Sequence, residues 1–377
     1  MAAHGRVSAG GTMAQVNLPP FDNAAMDGYA IRTTDLEGPG PWRLAVAGRV
    51  AAGDAGGCPL WAGQAVRIMT GAPVPPGADA VVMQESVVRE GAVIHVDNVP
   101  LPGTHIRRRG EDCAAGSVPV TAGQCLTAPR LALLAGCGVA DLHVWRKLRV
   151  AMFSTGNELQ ETGQPLGPGQ IYNSNRVMLR ALLTVPWIAL TDLGILRDDP
   201  AAVGVAIRQA VASHDVVISS GGVSAGEEDH ILDALRHEDA RLDVLKVAIR
   251  PGKPLIVGRV GAALYVGLPG NPYATAVTFA QIARPALRRA AGLKETPDTM
   301  IAGVAGFNYT RTLGRREYIP VTWHQRDGFG RPVLIRLGVG ASASLSPLAQ
   351  ARGVAALADD LAHIHPGTPL MVEPLLE

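Results

Sequence analysis

The chain has 377 residues, room for two to four domains at about 150 residues each. Its formal charge of +1 supplies no global field for nucleic acid or an acidic membrane, and no run approaches the ~18 apolar residues of a membrane span. The opening MAAHGRVSAGG has no apolar signal core, and Cys58, Cys113, Cys125 and Cys137 form no C-x-x-C pair, so a cytoplasmic protein with reduced thiols is expected.

PPFDNAAMDGYAI, Pro19 to Ile31, is the first unusual stretch. It is too broken for a helix and too sparsely apolar for a long buried strand. Pro19, Pro20 and Gly28 bend the chain, so Asp22 and Asp27 are presented from a turn. Asp22 is expected to cap that turn through its own backbone, and Asp27 to face a ligand. WRLAVAGRV, QAVRIMTG, DAVVMQE and AVIHV then read as short strands of a small β-rich unit. HIRRRGED sets Arg107, Arg108 and Arg109 beside Glu111 and Asp112, either a solvated charged turn or a local anion site. TAPRLALLAGCGVADLHV has helical spacing up to Gly136 or Gly138.

From about Lys147 the rhythm becomes strand, loop, helix. RVAMFS, IALTDLGIL, DVVISS and LYVGLP are apolar strands. NSNRVMLRALL (with Asn173 or Ser174 as its cap), AAVGVAIRQAVASH, ILDALRH and a long helix from GNPYATAVTFAQIARPALRRAAG follow them in turn. This alternation predicts a mostly parallel, doubly wound sheet with helices on both faces, whose ligands sit outside the carboxyl ends of the strands. From Thr299 short strands return, giving a small β domain at the C-terminus.

The loops at those strand ends carry the chemistry. In SSGGVSAGEEDH, Gly221, Gly222 and Gly226 let backbone amides approach a ligand at a helix N-terminus, which favours a phosphate. Glu227, Glu228 and Asp229 in the same loop would repel a bare phosphate. Mg2+ held by carboxylates and substrate phosphates reconciles the two; the bland alternative is acids complementing a helix dipole. TGNEL adds Glu158 and ILRDDP adds Asp198 and Asp199, though Asp-Asp-Pro also reads as a capped helix start. In VLKVAIRPGKPL, period two places Lys246 and Arg250 on one face of a hairpin, with Lys253 in the turn. They are either phosphate ligands or a solvated outer face. His363 and His365 read as surface residues. G-x-S-x-G, H-E-x-x-H, G-x-x-x-x-G-K-[ST] and G-x-G-x-x-G elements are missing from any credible context, so the residues alone point to an α/β enzyme that handles a phosphorylated anion with Mg2+.

PPFDNAAMDGYAI, RIMTGAPVPPGADAVVMQE, RRRGEDC, STGNEL, SSGGVSAGEEDH, RPGKP and GLPGNP occur in the order found in molybdopterin molybdenumtransferases, a family that includes the E domain of gephyrin. The chain resembles that family from about Gly5 to its end. The resemblance implies an elongated protomer: an irregular β domain (21–117), a connecting domain (1–20 and 118–147), an α/β molybdopterin-binding domain (148–296) resembling molybdopterin adenylyltransferase, and a C-terminal β domain (297–377). It implies a homodimer whose active sites are shared, because Asp27 lies in the N-terminal β unit and Asp198 and Asp229 on the α/β sheet.

The reaction implied is insertion of molybdenum from molybdate into adenylylated molybdopterin, with Mg2+-dependent release of AMP. By motif, Asp27, Thr70, Asp198 and Asp229 match catalytic positions, and Glu158, Asp198 and Asp229 would hold Mg2+. Ser220, Gly221, Gly222, Ser224, Lys246, Arg250 and Lys253 would bind substrate together with Glu158, while Pro269 and Pro272 shape the wall. Molybdopterin adenylyltransferase is a candidate partner; the sequence does not identify the protein that delivers substrate. Only residues 1–18 precede Pro19, fewer than the resemblance implies, so either the start codon is misassigned or the protomer lacks a helix of the connecting domain. RALLTVPWIALTDLG lacks a glycine turn, and Asn157 stands where many relatives have Asp. Two other readings stand beside molybdenum insertion. Adenylyl transfer to molybdopterin is opposed by the Gly-Gly-Val-Ser-Ala-Gly loop and the flanking β domains, and an inactive scaffold by the retained acids.

Overall fold

Strand β1 (Leu148–Thr155) is buried on both faces from Val150 onward, as a central parallel strand must be. The computed structural model that shows this describes residues 2–56, 59–197, 199–223, 230–238, 240–294, 300–338 and 343–374. After β1 come α1 (Ser174–Leu183), β2 (Ile188–Leu196), α2 (Pro200–Ser213), β3 (Val216–Ser220) and α3 (His230–His237). β4 (Arg241–Lys246), β5 (Pro254–Val260), β6 (Ala263–Leu268) and α4 (Pro272–Thr278) complete the layer. The sheet order is β2-β1-β3-β6-β5-β4. The first four strands are parallel, and β5 runs antiparallel to both of its neighbours.

Period two in the strands decides the layers. Val150, Met152, Val216, Ile218 and Val266 pack with Leu179, Leu183, Phe279 and Leu287 on one face. Ala151, Phe153, Val217 and Tyr265 pack with Val203, Ile207, Ile231 and Leu235 on the other. Truncating a side chain such as Phe153 to alanine would cost roughly 3–5 kcal/mol, transfer and cavity together.

Two local features differ from simple expectation. The link from α1 to β2 turns without glycine: Thr184 Oγ1 donates to Arg180 O at 2.7 Å, and Leu148 N donates to Trp187 O at 2.9 Å, so the Val185-Pro186 corner is pinned on both sides. The long helix after Pro272 is interrupted by a π turn over Phe279–Ala283 before a further α segment, Arg284–Ala290. Pro285 has no N–H to give and crowds the carbonyl four residues back, which widens the ladder ahead of it.

Gly10–Ala122 and Leu126–His143 form a compact unit of their own. Its six-stranded sheet runs Ala80–Met83, Gly28–Ile31, Gln64–Ile68, Trp42–Val50, Val93–Val96, Val87–Glu90. The end of PPFDNAAMDGYAI is thus a short strand in that sheet, fully buried and paired on both sides. A Cβ on Gly28 would stand 2.0 Å from Val82 O, so no other residue fits there.

Met1–Ala9, Gly123–Cys125 and Val144–Glu377 make the second unit, which holds both the α/β sheet and the C-terminal β structure. There Arg316–Thr322, Val333–Arg336, Ile301–Ala305, Pro369–Pro374 and Gly353–Leu357 pair in that order, and the last returns to the first to close a barrel. The expected cationic hairpin is corrected here. Lys246 ends β4, opposite Pro254, but Ile249–Arg250 leaves the α/β sheet and adds in parallel to the barrel strand, Arg250 opposite Glu317. Lys246 and Arg250 therefore belong to different sheets, and no period-two face joins them. Among the described residues no helix is long and apolar enough to cross a membrane.

Candidate active site

A cleft of about 650 Å³ opens where β1, β3 and β6 end. Its floor comes from the loops that follow them: Thr155-Gly156, Ser220-Gly221-Gly222 and Pro269-Gly270-Asn271. The start of α1 closes one side. Asn173 caps that helix by accepting from Arg176 N at 3.1 Å. Asn175 Nδ2 donates to Ser220 Oγ at 2.8 Å and to Gly270 O at 2.7 Å, so one buried amide ties two strand-end loops to the start of α1. Thr275 Oγ1 donates to Pro269 O at 2.6 Å and fixes the β6 loop from α4. Gly221 has φ +90°, and a Cβ there would meet Thr155 O at 2.5 Å. The β1 and β3 loops can approach so closely only with glycine at that point.

Thr155 Oγ1, Asn173 Nδ2 and Asn175 Oδ1 are buried in this wall without a hydrogen-bond partner among the described residues. Buried polar atoms ordinarily find partners, so a wall with three unanswered ones suits a polar ligand. Ile171, Tyr172 and Leu345 give one side of the cleft an apolar surface, each of them exposed. Glu158 is the only acid that lines the cleft among the described residues, and its carboxylate lies against Gly156. Carboxylate, hydroxyl and amide oxygens form a hard donor set that fits Mg2+ rather than a soft metal.

The sequence-predicted residues divide into four groups. Glu158, Ser220, Gly221, Gly222, Pro269 and Pro272 line the one cleft. Asp198, Ser224 and Asp229, with Glu227 and Glu228, lie outside the described residues. Lys246 and Lys253 are exposed and Arg250 half-buried beside the cleft segment that begins at Pro254, and Arg250 meets Glu317 at 3.5 Å. Asp27 and Thr70 belong to the N-terminal unit. There Asp27 Oδ1 accepts from Thr70 N and Thr70 Oγ1, both at 2.7 Å. Those bonds, the hydroxyl first, hold the Asp27 carboxyl below its ordinary range.

Asp22 does not cap its own turn. Its oxygens accept from Arg109 N at 2.8 Å and Arg108 Nη1 at 2.7 Å, and these bonds lower its pKa. The HIRRRGED segment reaches it through the pairing of Asn23 with Arg107, a long-range contact that local turn rules cannot see. Asp199 is the helix cap its motif suggested, accepting from Ala201 N and Ala202 N at 3.4 and 3.1 Å. Sequence reasoning missed Asn175, Ile171, Tyr172, Gly270, Asn271 and Leu345 as cleft residues. The IYNSN run was a usable signal, since it carries three polar residues at the strand-end side of a helix; Leu345 had none.

Residues 1–138 match the MoeA N-terminal region (domain I and II), residues 151–289 the "Probable molybdopterin binding domain", and residues 302–375 the MoeA C-terminal region (domain IV). The chain is 39% identical over 380 residues to molybdopterin molybdenumtransferase 2 of Mycobacterium tuberculosis, covering 98% of this chain and 92% of that one. It is 40% identical over 318 residues to the molybdopterin molybdenumtransferase of Haemophilus influenzae, covering 84% and 78%. The chain belongs to the molybdopterin molybdenumtransferase family. It is accordingly an enzyme of the transferase class. The crystal structure of the molybdopterin biosynthesis moeA protein from Pyrococcus horikoshii OT3 superimposes with a TM-score of 0.82 at 28% identity, over 98% of this chain and 92% of that one. The expected fold class is therefore correct: a central α/β molybdopterin-binding type of domain flanked by N- and C-terminal β domains.

Proposed function

We propose that this member of the family inserts molybdenum from molybdate into adenylylated molybdopterin and releases AMP, a step of molybdenum cofactor biosynthesis. The observation that carries this reading is the oxygen-rich cleft at the carboxyl ends of the parallel strands, inside the segment that matches a molybdopterin-binding domain. The Gly221-Gly222 turn leaves backbone free to approach a phosphoanhydride, and Ile171 and Tyr172 offer an apolar surface to a flat pterin.

In this reading Glu158, Asp198 and Asp229 hold Mg2+, which when bound neutralises the anhydride oxygens. Ser220, Gly221, Gly222 and Ser224 bind the substrate, and Pro269 and Pro272 shape the wall that orients it. Lys246, Arg250 and Lys253 supply positive charge to phosphate or molybdate. Asp27 and Thr70 reach the site from the second protomer of a homodimer. Molybdopterin adenylyltransferase delivers the substrate in the cytoplasm. The chemistry to be served is cleavage of the phosphoanhydride, departure of AMP and entry of molybdenum into the dithiolene. Purified protein mixed with adenylylated molybdopterin, Mg2+ and molybdate should yield AMP and active cofactor together. AMP formation that ignores both Mg2+ and molybdate would overturn the reading.

A further inference from the structure

The turn that carries Arg250 and Lys253 is held from the C-terminal barrel. Ile249–Arg250 is a two-residue strand added to Arg316–Thr322, with Arg250 opposite Glu317. Glu317 is 3% exposed, so its carboxylate needs strong partners. Oε1 accepts the Tyr309 hydroxyl at 2.9 Å and lies 3.5 Å from Arg250 Nε. Oε2 lies 3.1 Å from Arg311 Nε, an ion pair without hydrogen-bond alignment.

The two arginines differ. Arg311 is buried and spends its amino groups on the carbonyls of Leu357, Ala358, Leu361 and Arg315. Arg250 has a side chain 43% exposed and meets Glu317 through Nε. Its two terminal amino groups have no hydrogen bond among the described residues. A guanidinium drawn to a carboxylate by a 3.5 Å ion pair at Nε, with its fork open, can take a tetrahedral oxyanion on two parallel N–H bonds. Arg336 stacks 4.0 Å from the centre of the ring of Tyr309, whose hydroxyl donates to Glu317, so this cluster holds three guanidiniums to one carboxylate, two of them on the carboxylate itself. Pro254, four residues beyond Arg250, is already in the cleft wall.

We infer that Glu317 is a positioning residue: it holds Arg250 at Nε so that the open fork meets a tetrahedral oxyanion, phosphate or molybdate, at the site. The inference rests on the reading above that Arg250 meets such an anion. Pinning the side chain before binding removes part of the ordering cost that a free arginine would carry.

Calorimetric titration of the full-length protein with sodium molybdate alone, and separately with inorganic phosphate alone, tests both claims. Arg250→Ala, Glu317→Gln and the double variant are compared at low ionic strength, with thermal unfolding as the control for folding. Arg250→Ala and Glu317→Gln should each weaken one of the two anions by about tenfold, and the double variant should be no weaker than Arg250→Ala. Weakening confined to phosphate assigns the fork to the phosphoanhydride, and weakening confined to molybdate assigns it to the metal oxyanion. If Arg250→Ala binds both anions as the wild type does, the anion role of Arg250 is wrong. If Arg250→Ala is weakened while a folded Glu317→Gln is not, or if the two losses add, the positioning role is wrong. Should Glu317→Gln fail to fold, Tyr309→Phe, which removes the hydroxyl donated to the same oxygen, is read in its place by the same criteria.

Discussion

In the N-terminal unit, Asp27 is half-buried with one carboxylate oxygen doubly occupied by Thr70, whereas in the α/β cleft Thr155, Asn173 and Asn175 are buried with polar atoms unanswered among the described residues. The first arrangement is complete in itself: the charge is kept ionised and held by a residue 43 positions away. The second is incomplete, since desolvation has been incurred by folding and part of the hydrogen bonding is left for something else to supply. The acid is held as an ionised acceptor, and the buried polar wall suits a polar ligand. The contrast makes the two regions separable by experiment.

The largest effect is expected from removing one acid on each side. If the proposed shared-site homodimer and its Mg2+-dependent AMP release hold, Asp27→Asn and Asp229→Asn should each lose about 100-fold or more of that release at unchanged thermal stability. Mixing the two variants under conditions of subunit exchange should then restore about a quarter of wild-type activity, because half of the dimers are mixed and each of those has one intact site in two. Proven exchange with no recovery would place Asp27 outside a shared site.

Next in size are two glycine substitutions. Gly28→Ala, which drives a Cβ to within 2.0 Å of Val82 O in a buried strand, should cost about 3 kcal/mol of stability in denaturant unfolding. Gly221→Ala should cost about 1–2 kcal/mol yet depress turnover more than Gly28→Ala does, since it displaces the loop that approaches the ligand. Equal turnover in the two folded variants would remove the distinction between a structural glycine and a site glycine.

Thr70→Val is subtler. The Thr70 hydroxyl is the larger of the bonds that lower the Asp27 pKa, so its loss should raise that pKa. The acid limb of the pH–rate profile should move to higher pH, and an unmoved limb would mean that Asp27 does not control it.

The smallest effect is away from both regions. Asp215 at the opposite end of the sheet accepts from Arg146 at 2.8 Å and Arg149 at 2.9 Å, and the Arg146 bond chiefly drives its pKa far below 3.8. A depressed carboxyl contributes stability above its unfolded pKa and loses it as pH falls toward the folded one. Both arginines are exposed, so Asp215→Asn should cost only about 1 kcal/mol at pH 7. The gap between variant and wild type in thermal unfolding should shrink steadily below about pH 4.

Much of the α/β layer was legible because it is written in local rules. DVVISS and LYVGLP are apolar runs of strand length closed by glycine or proline, and Asp199 before Pro200 is a helix cap by chemistry alone. The family motifs likewise placed Glu158, Ser220, Gly221, Gly222, Pro269 and Pro272 at strand ends, and all six line one cleft. What failed to show was every feature set by a partner far along the chain. Asp22 reads as a turn cap until Arg108 and Arg109 arrive from a separate segment. Lys246 and Arg250 read as one face until Arg316–Thr322 takes Ile249–Arg250 away from the sheet.

By itself the sequence determined the order of strands and helices, the glycine-bearing loops at the strand ends and the acids that mark them, because hydrophobic period, capping and turn chemistry act over a few residues. It took the folded chain to show that Asn175 ties two loops to α1, that a segment of the C-terminal domain contributes Leu345 to the cleft, and that Glu317 pairs with Arg250. Those facts depend on the burial of polar groups, and a buried amide or carboxylate takes whichever partner packing brings within 3 Å or so, not the one nearest in the chain.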